Sequence, residues 1–257
     1  YGGNTSCVQV IHNDTCIILD GGSGIQRLGS FLNNDSKELH IMLSHLHIDH
    51  IMGLGFFLPL YNPDVKVHIW GPATINESLL ERLRRYFSPP LFPVRLNELP
   101  TQPEIHEIHC SEIKIGDITI KTDYVCHPGP TLGFRITCGN SVFAYMPDHE
   151  ILLGSSNFPN EPEWISGVDL AKDADLLFHD AQYHPSEYAR KVGWGHSSVV
   201  DTLTFAKLCN VKKLALFHHD PAHTDEELKQ LFKDFTEDKT FDFDVEMCAE
   251  GNVYYLS

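Results

Sequence analysis

Short apolar segments recur along the chain, and most are rich in β-branched or aromatic residues and bounded by Gly, Pro, Asn or Asp. Such segments are typical of β-strands. They are CVQVIH, CIILD, IMLSH, KVHIW, ITIKTDYV, LGFRITC, VFAYM, DLLFH, KLALFH, FDFDVEM and NVYYL. Helical patterns over residues 75–86, 197–208 and 225–235 lie between some of them. This alternation, with extra strands between residues 104 and 146, predicts a mixed α/β (α+β) chain with two β-sheets and helices outside.

The strongest chemical signal is the segment SHLHIDH, residues 44–50, in a chain that contains 16 histidines. His45 and His47 are expected to point the same way at a strand end, because side chains alternate along a strand. The chain then turns, which lets Asp49 and His50 face a neighbouring point. A polar loop that happens to be His-rich is the alternative, but HxHxDH at a strand-to-helix junction favours two metal ions side by side.

One short motif cannot supply all the ligands of two metal ions, so other ligands must come from later strand ends. The candidates directly follow or lie close to apolar runs, and they are His127, Asp148, His196, His218 and His219. Each of them alone could be a surface histidine or a turn aspartate. Their recurrence in a chain that also carries HxHxDH favours a metal site, with Asp148 as the bridging carboxylate.

Charge restricts the partners of the chain, since 19 Lys and Arg stand against 35 Asp and Glu, a net charge of −16. A surface this acidic argues against long nucleic acids and anionic membranes, because phosphate groups need basic side chains. No apolar run reaches transmembrane length. The seven cysteines form no CxxC pair, which favours a reducing, cytoplasmic setting.

The order of several motifs carries a family resemblance over residues 4–255. The motifs are NTSCV, ILDGGSGI, SHLHIDHIMG, SPPLFPV, HPGPTLGFRI, YMPDHE, LLFHDAQY, GWGHSS and LALFHHDPAHTD. The chain resembles metallo-β-lactamase-fold hydrolases, and within them the phosphodiesterase branch that includes the tRNA 3′-processing nuclease RNase Z and small cyclic-phosphate phosphodiesterases. SPPLFPV, PDHE and FHHDP look most like cyclic nucleotide phosphodiesterases, including the anti-Pycsar type.

This resemblance implies a four-layer αββα sandwich in one domain, residues 1–257, with an N-terminal strand of the family missing. It also implies a cofactor of two divalent metal ions, Zn²⁺ first and Mn²⁺ as the alternative. By matched motif, one metal takes His45, His47 and His127, the second takes Asp49, His50 and His218, and Asp148 bridges them. His218 is preferred to His219 because the apolar strand LALF leads directly to it.

The resemblance further implies catalytic roles for His196, Asp180 and Asp49, with His196 as general acid held by Asp180. A carboxylate partner favours the imidazolium form that can protonate a leaving alkoxide. Ordinary turn residues at the end of a strand are the alternative for HDAQY. The expected substrate contacts are His219, His223, Gly133, Phe57 and Tyr61. For the aromatic side chains among them, packing in the core is an equal alternative.

The expected function is hydrolysis of 3′,5′-cyclic nucleotides to nucleoside monophosphates, with a metal-bound hydroxide as nucleophile. The alternative is an RNase Z-like tRNA 3′-processing endonuclease, or hydrolysis of another small cyclic phosphodiester. The expected partners are a small cyclic nucleotide and a second copy of the chain, through the loop at residues 88–94, with no long nucleic acid and no membrane. The expected location is the cytoplasm of a bacterium or of a phage-infected bacterial cell.

Overall fold

The strands form two sheets, in a computed structural model that describes residues 1–32, 37–155, 162–237 and 239–256. The chain divides into an amino-terminal unit, Asn4–His109, and a carboxy-terminal unit, Cys110–Ser257 with Tyr1–Gly3. The expectation of a single domain over residues 1–257 stays a prediction. The predicted mixed α/β class with two sheets and helices is confirmed.

The amino-terminal unit contains a five-stranded sheet. Its strands, in spatial order, are β1 (Val8–His12), β2 (Thr15–Leu19), β3 (Glu38–Met42), β4 (Lys66–Pro72) and β5 (Glu104–Ile108). β1 and β2 are antiparallel, whereas β2 to β5 are parallel. Because the parallel strands run in one direction, the loops that leave β2 and β3 lie at the same edge of this sheet.

The described residues of this unit form three α-helices: α1 (Gly24–Phe31), α2 (Ile48–Ile51) and α3 (Leu79–Tyr86). The helix predicted over residues 75–86 begins later than expected. Ser78 is its N-cap, and the Ser78 hydroxyl and the Glu81 carboxylate satisfy each other's backbone N–H groups in a capping box. The unit has its own apolar core, to which Ile18, Ile41 and Ile69 contribute.

The carboxy-terminal unit contains a seven-stranded sheet. In chain order its strands are β6 (Ser111–Ile115), β7 (Ile118–Tyr124), β8 (Leu132–Cys138), β9 (Ser141–Met146), β10 (Leu176–Asp180), β11 (Lys213–Phe217) and β12 (Asp244–Met247). β6 to β9 form an antiparallel meander, and β9 to β12 are parallel. The carboxyl ends of β9, β10 and β11 therefore meet at one edge.

Four α-helices occur in the part of the carboxy-terminal unit that the structure describes: α4 (Val168–Ala171), α5 (Pro185–Tyr188), α6 (Val199–Leu208) and α7 (Asp225–Thr236). Ser198 caps α6 by accepting a hydrogen bond from the Asp201 N–H. Thr224 caps α7 in a capping box with Glu227. Residues 197–208 and 225–235 therefore form helices as predicted, with the first helix starting two residues late because Ser198 is its cap.

One strand prediction is wrong, because the segment NVYYL at residues 252–256 forms no strand in the described chain. Its Tyr254 ring packs edge-on against Phe178 of β10, with ring centroids 5.2 Å apart, instead of extending the sheet beyond β12. Among the described residues, no helix is both long enough and apolar enough to cross a membrane.

Candidate metal centre

The HxHxDH motif lies directly after β3 and forms the first turn of α2. The rings of His45 and His47 lie edge to face with centroids 4.5 Å apart, and the rings of His45 and His50 are 4.2 Å apart. The Asp49 carboxylate oxygen Oδ2 lies 3.4 Å from Nε2 of His50. We call His45, His47, Asp49 and His50 the amino-terminal ligand set.

Asp20, at the carboxyl end of β2, holds this set in place and is fully buried. Its carboxylate accepts hydrogen bonds from the Ser44 N–H at 2.7 Å and from the Ser44 hydroxyl at 2.9 Å. It also lies 2.9 Å from Nδ1 of His50. Because a carboxylate only accepts, His50 donates from Nδ1 and presents the lone pair of Nε2, as metal-binding histidines do. Sequence analysis missed Asp20, although it follows the apolar run CIIL directly.

Asp148 is the centre of a second group of side chains, in the carboxy-terminal unit, and its carboxylate is buried. Its Oδ2 lies 3.6 Å from Nε2 of His127, and its Oδ1 lies 3.3 Å from Nε2 of His218. Each oxygen therefore faces a different histidine, which is the arrangement of a carboxylate that bridges two cations. We call His127, Asp148 and His218 the carboxy-terminal ligand set.

The spacing and chemistry of both sets fit zinc. With bonds of about 2.0–2.1 Å, a tetrahedral zinc ion holds its ligand atoms about 3.3 Å apart. The separations within the two sets are 3.3, 3.4 and 3.6 Å. Imidazole nitrogens and carboxylate oxygens suit Zn²⁺ and also Mn²⁺. The site residues thus fit a divalent metal, and their individual roles stay predictions.

Hydrogen bonds orient both histidines of the carboxy-terminal set. His127 donates from Nδ1 to the Gly195 carbonyl at 2.8 Å, so its Nε2 lone pair faces Asp148. A lone pair aimed at a carboxylate is unfavourable unless a cation lies between them. The Gln182 side-chain amide lies 3.0 Å from Nδ1 of His218. His218 has a left-handed backbone with φ of 56°, which turns its ring back as the chain leaves β11.

His196 and Asp180 form a pair beside Asp148. Nδ1 of His196 lies 2.7 Å from Oδ2 of Asp180 and 3.9 Å from Oδ2 of Asp148. Burial lowers the pKa of His196, but the charge of Asp180 and its hydrogen bond raise that pKa by more, so the net pKa lies above the ordinary value. With Nδ1 bound to Asp180, the other ring nitrogen of His196 is the one that can deliver a proton.

Backbone hydrogen bonds fix the Asp180 carboxylate in a buried pocket. It accepts from the N–H groups of His149 at 3.0 Å and Gln182 at 3.1 Å. Behind it, Nδ1 of His149 lies 2.9 Å from Nε2 of His179, and burial lowers the pKa of both histidines. These two rings are therefore neutral near neutral pH.

Glu150 anchors the loop that carries His196, and sequence analysis missed it. Its buried carboxylate accepts hydrogen bonds from the N–H groups of Gly193 at 2.9 Å and Gly195 at 2.8 Å, and from the Tyr188 hydroxyl at 2.9 Å. Glu150 is the last residue of the PDHE motif, so the signal was present in the sequence. Gln182 likewise belongs to HDAQY and was not assigned a role.

Two of the predicted substrate contacts are wrong. Phe57 is fully buried in the amino-terminal core, where Gly29 makes room for its ring, so no ring face is left to stack on a base. Gly133 was expected in a phosphate-binding loop. It lies in β8 paired with Asp123, and a Cβ atom there would meet Leu170 at 2.7 Å, so its role is close packing.

The other three predicted contacts are placed as follows, and their roles stay predictions. Tyr61 lines a surface pocket of about 520 Å³ together with Phe56 and Phe92, and its hydroxyl donates to the Gly55 carbonyl at 2.7 Å. The ring of His219 turns towards the Cys248 carbonyl, 3.2 Å from its Nε2. Nε2 of His223 lies 3.0 Å from a Glu187 carboxylate oxygen.

Comparison with known proteins identifies the family. Residues 25–219 match the model of the β-lactamase superfamily domain, and the chain belongs to this superfamily. Ribonuclease Z of Thermococcus gammatolerans is 25% identical, over 87% of this chain and 81% of that protein.

Solved structures agree on the fold. The metallo-β-lactamase fold protein YhfI from Bacillus subtilis superposes with a TM-score of 0.72 at 19% identity, covering 97% of this chain and 90% of that one. The short form of human tRNase Z has a TM-score of 0.58 at 22% identity, covering 84% of this chain and 86% of that one. The chain thus has the metallo-β-lactamase fold, and ribonuclease Z is among the proteins that it resembles in sequence.

Proposed function

We propose that this protein is a metal-dependent phosphodiesterase. The observation that carries the proposal is the buried Asp148 carboxylate, with one oxygen towards His127, the other towards His218, and the His196–Asp180 pair beside it. This combination joins a metal-binding carboxylate to a proton donor, as hydrolysis of a phosphodiester requires. The family resemblance implies a cofactor of two divalent metal ions.

The reaction divides between the bound metals and the side chains. When bound, two divalent ions supply positive charge to the phosphoryl oxygens and make water acidic enough to attack at neutral pH. Asp148 holds its histidine neighbours at the ligand spacing, and Asp20 keeps His50 in its metal-binding form. Protonated His196 delivers the proton of its outward nitrogen to the departing alkoxide, and Asp180 stabilises the positive charge before that transfer.

RNA is the substrate that the relatives favour. The curated relative from Thermococcus gammatolerans is a ribonuclease Z, and the human structure with the same fold is a tRNase Z. Both align with most of this chain. We therefore propose a phosphodiester bond of RNA, at the 3′ side of precursor tRNA, as the first candidate substrate. This reverses the order of the sequence-based hypotheses, in which cyclic nucleotides came first.

A 3′,5′-cyclic nucleotide is the second candidate, and the net charge of −16 favours it. A protein that holds a polyanion such as tRNA usually offers a basic surface to the phosphate groups. A cyclic nucleotide carries a single phosphodiester, so the charge of bound metal ions alone can hold it. The motifs SPPLFPV, PDHE and FHHDP point to the same candidate through resemblance.

The deciding experiment offers both substrates to one preparation in Zn²⁺ or Mn²⁺. The substrates are a precursor tRNA with a 3′ trailer and a panel of purine and pyrimidine 3′,5′-cyclic nucleotides. Release of the trailer supports the first candidate, and conversion to monophosphates alone supports the second. Asp148→Asn is the inactive control, and Asp169→Asn, at an exposed aspartate of α4, is the matched control. Cleavage of neither substrate contradicts both candidates.

A homodimer through the loop at residues 88–94 remains part of the proposal. Three apolar side chains around the same surface pocket are exposed: Phe56, Leu58 and Leu91. Exposed apolar side chains grouped in this way are typical of protein-binding surfaces. Light scattering tests the dimer directly. A mass near twice that of the 29.1 kDa chain supports it, and a mass near 29.1 kDa contradicts it.

A further inference from the structure

A second histidine cluster lies on the five-stranded sheet, away from the HxHxDH motif. A Glu-x-His pattern occurs on β3, as Glu38 and His40, and again on β5, as Glu104 and His106. His68 of β4 lies between them. The strand register places His68 beside His40 on one side and beside Glu104 on the other.

All five side chains project from one face of the sheet, because they occupy alternate positions on their strands. The intervening residues Leu39, Val67 and Ile105 belong to the apolar core on the other face. His40 and His68 are buried. Buried imidazoles need polar partners, and here the exposed carboxylates of Glu38 and Glu104 supply them to His68.

The atoms of three of these side chains form a triangle. Nδ1 of His68 lies 2.9 Å from Nε2 of His106 and 3.4 Å from Oε2 of Glu104. The third side, from Nε2 of His106 to Oε2 of Glu104, is 3.8 Å. Each of these separations lies within about 0.5 Å of the ligand spacing of about 3.3 Å that a tetrahedral zinc ion requires. The three atoms can therefore occupy three vertices around one cation, with water at the fourth.

Neighbouring side chains prepare each ligand atom. Nε2 of His68 donates to Oε1 of Glu38 at 2.8 Å, which leaves Nδ1 with a lone pair turned towards His106 and Glu104. A carboxylate behind a histidine is the usual support of a metal ligand. Lys66 binds the other oxygen of Glu104, Oε1, at 3.2 Å, so Oε2 is directed at the histidines.

The ionisation states agree with this arrangement. Burial lowers the pKa of His106, so its ring is neutral near neutral pH. The hydrogen bond from Lys66 lowers the pKa of Glu104, which is therefore a carboxylate.

We propose that His68, Glu104 and His106 bind one divalent transition-metal ion of the zinc type, separate from the dinuclear centre. Two imidazole nitrogens and one carboxylate oxygen are a donor set that zinc accepts. The ion ties β5 to β4. Since β5 is at an edge of its sheet, such a link stabilises a strand that has backbone partners on one side only.

Equilibrium dialysis against buffered free Zn²⁺, followed by metal analysis, tests the site. The wild type and the control His109→Asn, an exposed histidine just beyond β5, are expected to bind one more equivalent than Glu104→Gln and His106→Ala. Glu38→Gln is expected to weaken this equivalent by about 10–100-fold, as loss of a supporting carboxylate does. Equal zinc contents and identical titration curves in all five proteins contradict the proposal.

Thermal unfolding gives a second readout. It compares the wild type with Glu104→Gln, so it does not require the His106→Ala variant to fold. Half of the Glu104 side chain is solvent-exposed, so Glu104→Gln preserves shape and folding. Excess Zn²⁺ is expected to raise the Tm of wild type and His109→Asn more than that of Glu104→Gln, because ligands that bind only the folded state stabilise it. Equal Tm shifts contradict the site. Phosphodiester turnover should be the same in Glu104→Gln and wild type, so failure of the proposed function leaves this test intact.

Discussion

The two ligand sets are built in different ways. The amino-terminal set lies within residues 45–50, on one loop and the short helix after it, and a single carboxylate, Asp20, supports it. The carboxy-terminal set comes from residues 127, 148 and 218, each after a different strand, and depends on loops held by Glu150 and Gln182. One set depends on a local turn, and the other on how the strands of a sheet are ordered.

This difference predicts different sensitivities to mutation. The amino-terminal set should tolerate changes outside its own loop, because its geometry comes from neighbours in sequence. The carboxy-terminal set should respond to changes at distant loop positions, since Gly195 is 68 residues from the histidine that it orients. The mutations below test this contrast.

Asp148→Asn is expected to have the largest effect. The amide keeps the shape of the side chain but removes the charge that holds His127 and His218 at ligand spacing. Turnover should fall by more than the ~10²–10⁴-fold that loss of a proton-transfer group costs, and bound metal should fall as well. Assays of activity and metal content check this, with Asp169→Asn as the control. Wild-type activity in Asp148→Asn would contradict the prediction that Asp148 is the bridging carboxylate.

His196→Ala should separate chemistry from metal binding. Because the charge and hydrogen bond of Asp180 raise the pKa of His196 above its ordinary value, the ring is expected to serve as proton donor and not as a metal ligand. Turnover should fall by ~10²–10⁴-fold with metal content unchanged. Metal analysis and steady-state kinetics measure both quantities, with His109→Ala as the control. Loss of metal would make His196 a ligand, and an unchanged rate would exclude it from proton transfer.

Gly195→Ala tests the distant control of the carboxy-terminal set. A Cβ atom at this position would lie within 2.1 Å of His127 Nδ1, so the histidine must move. Displacement of a catalytic group by about 1 Å can cost ~10²-fold in rate.

Gly193→Ala is the matched control for this change, because Gly193 also has a positive φ but meets nothing within 4 Å. It should lose some stability and keep most of its activity. Equal rates for the two variants would contradict the role of the loop in orienting His127.

Asp20→Asn tests the support of the amino-terminal set. The amide carries no negative charge, so it accepts hydrogen bonds from Ser44 and His50 more weakly than the carboxylate does. His50 is then less strongly held in the tautomer that has its proton on Nδ1. Metal affinity should fall by ~10–100-fold. A competition titration with a chromogenic chelator measures it, and Asp14→Asn, at an exposed turn residue, is the control. An unchanged affinity would mean that the local loop alone maintains His50.

Thr224→Ala should have the smallest effect and should be confined to stability. It removes the side-chain cap of α7 and should cost about 1 kcal/mol of unfolding free energy. Chemical denaturation measures the change, with Thr204→Ala, at an exposed helical threonine, as control. A large fall in turnover would show that α7 positions the carboxy-terminal set, which the contacts of Thr224 do not suggest.

The sequence predicts much of the fold because short β-branched segments and helix caps are local signals. The caps of α6 and α7, Ser198 and Thr224, are of residue types that favour helix starts. The segment NVYYL has the same local signal as the strands, yet it packs Tyr254 on Phe178. The residue pattern of a segment does not show whether another strand of the fold pairs with it.

The supporting side chains were missed for a related reason. Asp20 and His50 are 30 residues apart, and Glu150 and Gly195 are 45 apart, so their pairing appears only once the chain is folded. Phe57 was misplaced because its neighbour Phe56 is exposed while Phe57 is buried, in a stretch of short helical turns that shows no clear period. The local sequence pattern identifies side chains that can bind a metal ion or support a ligand, whereas the topology of the fold decides which of them lie in contact.

The most direct test of the central claim is hydrolysis of a simple phosphodiester, bis(p-nitrophenyl) phosphate, before and after metal removal. The account predicts that chelation abolishes hydrolysis, that Zn²⁺ or Mn²⁺ restores it in the wild type, and that Asp148→Asn stays inactive after reloading. Hydrolysis that survives metal removal, or that is undiminished in Asp148→Asn, would contradict a metal-dependent phosphodiesterase centred on Asp148.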